Sequence, residues 1–305
     1  MWGRQVGIID VGSNTIKLLI AEQADDGTVR SVRFEVEETR IGEGLTGTPP
    51  LIDPEAISRG TQAIGRLHRL AAQHDLHCLR IVATSAVRDA SNRAAFIDSV
   101  ASETGIELET LSGNEEARLI GKGLQCDPKL SHLSSYALLD LGGGSMECIL
   151  FSEGAVSQIG SLDLGAVRLS SKYVPDRHRP LARHESDSIR DHVEDVFVSA
   201  HISRASAPSP VAVLTGGTAS ILAARSLAST EVFSAEQARA FRDEVCRLSR
   251  SERVSQLNIP ESRADIFPAA ITILCAALDY LGCDQVHFSE YNLRYGLAAE
   301  MIEQL

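Results

Sequence analysis

Two segments of this chain spell nearly the same pattern. Gly7-Ile-Ile-Asp10-Val-Gly12-Ser13-Asn14-Thr15-Ile-Lys17 returns as Ala137-Leu-Leu-Asp140-Leu-Gly142-Gly143-Gly144-Ser145-Met-Glu147. Each is an apolar run, an Asp, a Gly-rich turn with a hydroxyl residue, and a second apolar run, which reads as strand, tight turn and returning strand. Two such hairpins facing each other could grip a phosphate chain from both sides through backbone N–H groups and hydroxyls. Two copies in register, each opening an α/β half, predict a duplicated fold with phosphate held between the halves.

At 305 residues the chain has room for two domains of ordinary size. A hydrophobic content of 44% and a charged content of 23% are those of a soluble globular protein. The longest apolar stretch, Ala269 to Leu281, is interrupted by Thr272 and Asp279 and reads as a buried helix, so no membrane span is expected. The start of the chain runs straight into a strand, with no signal peptide expected. Six cysteines (Cys78, Cys126, Cys148, Cys246, Cys275, Cys283) are scattered without a CxxC pair, which suits buried free thiols in the cytoplasm better than a zinc site.

The net charge of −12 disfavours nucleic acid as a partner, because that job needs a basic face. A polyanionic substrate would also be repelled at long range and must rely on local cations or bound metal. One basic stretch exists, Arg168, Lys172, Arg177, Arg179 and Arg183 with His178 and His184. It reads as a solvated loop and helix start, or else as a track for a long anionic substrate.

After the first hairpin, residues 28–37 alternate like a third strand, and residues 39–47 form a Gly-rich loop. Asp53-Pro54 caps a helix whose apolar positions Ile57, Ile64, Leu67 and Leu70 recur at helical spacing. Residues 78–83 read as a strand, a helix runs to about Val100, 106–111 is a strand, and Ser112 opens a helix to about Leu124. The order βββαβαβα fits one compact α/β domain. The second half repeats it: strands at 136–141, 146–151 and 158–162, helices from Gly165 and Arg183, and a strand at 211–214 preceded by Pro208 and Pro210. Helices at 234–248 and 261–281, a strand at 285–288 and a final helix at 292–301 follow.

The candidate chemistry lies where these elements end. Asp10, Gly12, Ser13, Asn14 and Thr15 place small residues and donors where a backbone could approach an anion, although an ordinary hairpin also favours Gly and Asn. In the second loop three glycines cost backbone entropy that a tight turn does not require. Asp140 and Glu147 flank Gly142, Gly143, Gly144 and Ser145, and two carboxylates beside such a nest suit Mg²⁺, which completes its octahedron with water and phosphate oxygens. Glu115 and Glu116 stand in the first turn of a helix, where the dipole favours acids. A carboxylate at that strand end could also position a water for attack on phosphorus. Thr84, Ser85 and Arg88 follow a strand's carboxyl end, where open α/β sheets bind ligands, and Arg88 could fork onto a phosphate or pair with a nearby acid. Thr215-Gly216-Gly217-Thr218 is another Gly-rich strand-to-helix turn able to hold a phosphate or a nucleoside.

These motifs, with Arg40-Ile-Gly-Glu-Gly-Leu45, Ala83-Thr-Ser-Ala-Val-Arg88, Ser112-Gly-Asn-Glu-Glu-Ala117 and Leu164-Gly-Ala-Val-Arg-Leu169, occur in one order that resembles the exopolyphosphatase and guanosine pentaphosphate phosphohydrolase family. That family sits within the superfamily of sugar kinases, Hsp70 and actin. The resemblance runs from residue 5 to about residue 300. It implies an α/β fold of two ribonuclease-H-like (actin-like ATPase) domains, with mixed sheets flanked by helices and an active-site cleft between them. Residues 1–125 and 126–291 would be the domains, with a last helix over 292–305 packing back on the first. Glu116 would position the attacking water, Asp140 and Glu147 would hold Mg²⁺ or another divalent cation, and Arg88 would take the terminal phosphate. Gly12, Ser13, Asn14 and Thr15 would face Gly143, Gly144 and Ser145 across the substrate.

The implied substrate is inorganic polyphosphate. The alternatives are guanosine pentaphosphate, losing its 5′-terminal phosphate, and a nucleotide-binding regulatory or kinase-like module. A cytoplasmic homodimer is implied as well. Two features depart from the family pattern. Larger members carry further C-terminal helical domains that extend the channel for long polyphosphate, whereas this sequence ends after the two core domains, which points to a shorter substrate. Met146 takes a position usually held by a small or hydroxyl residue.

Overall fold

The computed structural model describes residues 5–43, 45, 49–202, 211–226 and 232–305. Gly44, Thr46 and Gly47 of the Gly-rich loop, with Pro208 and Pro210, lie outside the described residues. The chain divides into two compact units, Met1–Leu130 with Tyr291–Leu305, and Ser131–Glu290.

The first unit opens with the antiparallel meander β1 (Gln5–Val11), β2 (Thr15–Gln23) and β3 (Val29–Glu38). The first two strands are apolar at nearly every position because helices cover both faces of the sheet, and only β3, at its edge, alternates. Helix α1 (Pro54–Ala71) starts where Asp53 accepts a hydrogen bond from Glu55 N–H at 2.8 Å, with Pro54 in its first turn. Its apolar stripe buries Ile64 and Leu67 against the sheet. β4 (Leu76–Ala83), α2 (Ser85–Asp89), α3 (Arg93–Thr104), β5 (Leu108–Thr110) and α4 (Gly113–Gln125) follow, with Ser112 capping α4. β4 runs parallel to β1 and β5 parallel to β4, giving the order β3-β2-β1-β4-β5.

The second unit repeats the scheme with β6 (Tyr136–Leu141), β7 (Met146–Ser152) and β8 (Ala155–Leu162), then α5 (Ala166–Tyr173), α6 (Arg183–Ser199), β9 (Val211–Thr215) and α7 (Gly216–Ser226). β10 (Val232–Ser234), α8 (Ala235–Arg247), α9 (Arg250–Leu257), α10 (Phe267–Leu281) and β11 (Gln285–Phe288) complete it. Its sheet order, β10-β11-β9-β6-β7-β8, read from β8 inward matches the first sheet and adds β10. Two mixed sheets flanked by helices are therefore the α/β class expected. The helix expected from Glu261 begins only at Phe267, where Pro268 sits in the first turn, because proline fits a helix start and breaks its interior. α10 is buried almost all round, and among the described residues no helix is long and apolar enough to cross a membrane. Met146 is fully buried among apolar neighbours of its sheet, which accounts for the departure at that position.

The chain then returns to the first unit as α11 (Leu293–Glu303), capped by Asn292 and packed on α4 and β1. α4 and α11 cross so closely that a Cβ on Gly123 would overlap the Asn292 carbonyl, and one on Gly296 the Leu119 carbonyl.

Candidate active site

Both Gly-rich loops join their strands by the same bond: Gly12 N–H donates to Thr15 O at 3.1 Å, and Gly142 N–H to Ser145 O at 2.9 Å. Neither loop contains a glycine with positive φ, so left-handed geometry is not what its glycines supply. What the loops share is a brace behind them. In the first, Asn14 O accepts from Thr39 and Arg40 N–H, and Ser13 O from Gly42 N–H, at 2.8–3.2 Å. In the second, Gly142 O accepts from Ala166 N–H, Gly143 O from Val167 and Arg168 N–H, and Gly144 O from Arg168 Nε at 2.7 Å.

Each brace needs a glycine where it crosses the loop. A Cβ on Gly42 would fall 2.7 Å from Ser13 Cβ, and one on Gly165 would overlap Gly143 and Gly144. The carbonyls are thus tied backward. Among the described residues nothing accepts from the N–H groups of Ser13, Asn14, Gly143, Gly144 or Ser145. A loop with its oxygens turned away and its N–H groups uncommitted has the donors to receive an anion.

Side chains add to this. Ser13 Oγ and Ser85 Oγ lie 3.1 Å apart, which joins the first loop to the end of β4. Asn14 Nδ2 and Thr215 Oγ1 are buried without a hydrogen-bond partner among the described residues, a costly state that a ligand oxygen would relieve. Gly216 does require its glycine: its φ is +87°, and a Cβ would stand 2.5 Å from Asp140 Oδ1. The Arg263 guanidinium occupies the space beside Gly217, while Thr218 is buried in the next turn.

The titratable groups fall into three pairs. Glu116, 6% exposed in the first turn of α4, holds Arg88 Nη1 at 2.7 Å, and Arg88 also reaches Asp89 at 3.6 Å and the Leu111 carbonyl at 3.2 Å. Of the two roles open to Arg88, the pairing with nearby acids is the one present here. Asp140 and Glu147 are direct cross-strand partners, so their side chains share one face of the sheet. Like charges placed opposite each other repel, and Glu147 is only 2% exposed, with Ser161 Oγ donating to it at 2.8 Å.

At the equivalent place in the first hairpin Asp10 faces Lys17, an opposite charge. Asp10 is held by Arg294 Nη1 of α11 at 2.8 Å, with both side chains buried and Arg294 resting over the Phe34 ring. The carboxylate of Asp10 is therefore committed to a guanidinium, and what that end of β1 offers is the loop after it. Among the described residues no three His, Cys, Asp or Glu side chains gather into a metal cage. The Asp140–Glu147 pair fits a hard divalent cation that takes two protein carboxylates and fills its shell with water and phosphate oxygens.

The arginines of the basic stretch are paired: Arg168 with exposed Asp163, Arg177 with buried Asp265, Arg179 with buried Glu185, and Arg183 with Asp187 at the surface. The carbonyls of Arg177 and Arg179 accept from the buried Arg253, whose pKa burial lowers to about 10. Its anchoring role was not visible in sequence, and neither were those of Arg294, Arg263 and Ser161, since each depends on distant contacts. The two braces did carry a signal, because Gly42 and Gly165 both sit in motifs already singled out.

With this geometry in view, comparison with known proteins is informative. A sequence model described as the Ppx/GppA phosphatase family matches residues 19–305. Exopolyphosphatase 1 of Mycobacterium leprae is 27% identical over 313 residues, covering 98% of this chain and 90% of that protein. Exopolyphosphatase 2 of Mycobacterium tuberculosis is 35% identical over 180 residues, 55% of this chain and 54% of its own. The fold is similar to that of an exopolyphosphatase from Cytophaga hutchinsonii, with a TM-score of 0.87 at 24% identity over 99% of each chain. It is also similar to the Ppx/GppA family member of Aquifex aeolicus, with a TM-score of 0.79 at 22% identity over 99% and 98%. Matched along nearly its whole length, the chain belongs to the Ppx/GppA phosphatase family and is a hydrolase.

Proposed function

We propose that this hydrolase cleaves the terminal phosphoanhydride of inorganic polyphosphate and releases orthophosphate by in-line attack of water. The observation that carries the reading is Glu116, a buried carboxylate 2.7 Å from a guanidinium at the mouth of a helix. Relatives named exopolyphosphatase support the substrate class.

Glu116 accepts the proton of the attacking water and aims its oxygen at phosphorus. Arg88, already beside that carboxylate, turns its remaining N–H groups to the terminal phosphate. The backbone N–H groups of Ser13, Asn14, Gly143, Gly144 and Ser145, with the Asn14 amide, hold phosphate oxygens, and the Gly216-Gly217-Thr218 turn holds a further group. Asp140 and Glu147 would hold Mg²⁺ or another divalent cation, which when bound supplies charge neutralisation at the phosphoryl oxygens. Water is the nucleophile, so no phosphorylated side chain is required. A cytoplasmic homodimer is part of this reading.

The test is phosphate release from short polyphosphate, long polyphosphate, guanosine pentaphosphate and ATP, each with and without Mg²⁺. Polyphosphate turnover abolished by chelation supports the proposal. Release from guanosine pentaphosphate alone would replace the substrate, and binding without release from any of the four would favour a nucleotide-binding module. Glu116→Gln should lower turnover by ~10²–10⁴-fold, the usual size of a general-base contribution. Asp140→Asn should raise the Mg²⁺ concentration needed for half-maximal rate, and an unchanged titration would remove Asp140 from the metal.

A further inference from the structure

Four neighbouring strands of the second sheet each place an oxygen-bearing side chain in one row. The ladder sets Thr215 of β9 beside Asp140 of β6, Asp140 beside Glu147 of β7, and Glu147 beside Ser161 of β8. Residues in register share a face of the sheet, and the residues next to them in each strand take the other. Those neighbours, among them Leu139, Leu141, Met146, Cys148, Leu162 and Leu214, all join the apolar core, so the row lies on the opposite face. Its order is hydroxyl, carboxylate, carboxylate, hydroxyl.

The two hydroxyls are in different states. Ser161 Oγ donates to Glu147 Oε1 at 2.8 Å, and Glu147 is 2% exposed. A hydrogen bond of this kind fixes how a ligating carboxylate is presented and occupies the oxygen that accepts it. Thr215 is wholly buried, and its Oγ1 has no hydrogen-bond partner among the described residues. A buried hydroxyl in that state costs free energy unless a ligand satisfies it. It stands beside Asp140, whose Oδ1 lies against the Gly216 backbone just past the end of β9. Water bound to a hard cation is a ready donor, and a threonine hydroxyl is an acceptor for it.

We propose that this row selects a small hydrated cation, Mg²⁺, over Ca²⁺. Ser161 is the positioning residue: by taking Oε1 it leaves Glu147 to bind the ion through one oxygen. Thr215 accepts a hydrogen bond from a water that the ion retains. Mg²⁺ keeps several waters and uses few carboxylate oxygens, whereas Ca²⁺ takes about six to eight oxygens and readily draws two from one carboxylate. The inference rests on the assignment of Asp140 and Glu147 to the cation, and adds the two hydroxyls that decide which cation is favoured.

The test is calorimetric titration of the whole chain with Mg²⁺ alone and with Ca²⁺ alone, beside thermal melts in the absence of both. Ser161→Ala should weaken Mg²⁺ binding by ~10-fold or more, the usual effect of losing such a supporting bond, and should spare or strengthen Ca²⁺ binding. Ser161→Thr, which keeps the hydroxyl, should restore the wild-type ratio of the two affinities. Thr215→Val should weaken both ions alike, yet melt no lower than wild type without them, because it removes an unsatisfied group. An unchanged ratio in Ser161→Ala, or one that Ser161→Thr fails to restore, would overturn the proposal and leave Asp140 and Glu147 as ligands. So would a Thr215→Val chain that binds as before or melts lower. Wild type that binds neither ion, or an Asp140→Asn chain that binds both undiminished, would overturn the proposal together with the metal assignment beneath it.

Discussion

Asp10 and Arg294 meet at 2.8 Å with both side chains out of water. Removing one partner of such a pair leaves the other charge buried alone, which costs far more than the pair contributes. Arg294→Met should therefore lower the unfolding free energy by about 3–5 kcal/mol in a urea titration. Asp10→Asn on that background should recover most of the loss, and no recovery would show that the two charges are not coupled. Gly216 is a second residue with no substitute. At φ +87° an alanine costs ~1–2 kcal/mol, and its Cβ would push on Asp140 Oδ1. Gly216→Ala should raise the Mg²⁺ concentration needed for activity more than it lowers stability, which a metal titration beside a thermal melt would show.

At the scale of elements, the crossing of α4 and α11 holds the helix that carries Glu116. Gly123→Ala forces a methyl into the Asn292 carbonyl and should cost about 1–3 kcal/mol by chemical denaturation. The same helices are tied by Arg118 and Glu300 at 2.6 Å, and hydrogen bonding from Arg118 holds the Glu300 carboxyl below its ordinary range. A depressed carboxyl contributes stability above its unfolded pKa and loses it as pH falls through the folded one. Stability should thus decline on acidification below about pH 4.5, and Glu300→Gln should flatten that limb modestly, because Arg118 is half exposed.

Both meanders and both loops were legible in the sequence, because apolar runs bounded by glycine are a local signal. Helix α9 had a legible start in its capping box, Ser249 with Glu252, that periodicity alone passed over. β10 was not legible: it is three residues long, and its pairing is set by β11, far along the chain. The partner of Arg294 was not legible, since nothing near it in the chain announces Asp10.

Across the whole molecule one topology is used twice, yet the fully buried thiols all lie in the apolar interior of the second unit, while Cys78 and Cys126 of the first are half-buried. Burial pushes the thiols of Cys148, Cys275 and Cys283 up to about 12. They should resist alkylation at neutral pH in the folded chain and react once it is unfolded, as mass spectrometry with and without denaturant would show; fast native labelling would mean that the core opens. The twin braces carry a consequence of another kind. Donors that belong to the main chain cannot be deleted by changing a side chain, so Ser145→Ala at the tip of the second loop should be tolerated, unlike Asn14→Ala, which removes a side-chain donor. The damage would register instead on Gly42 and Gly165, at the back of the loops, where a methyl group has no room.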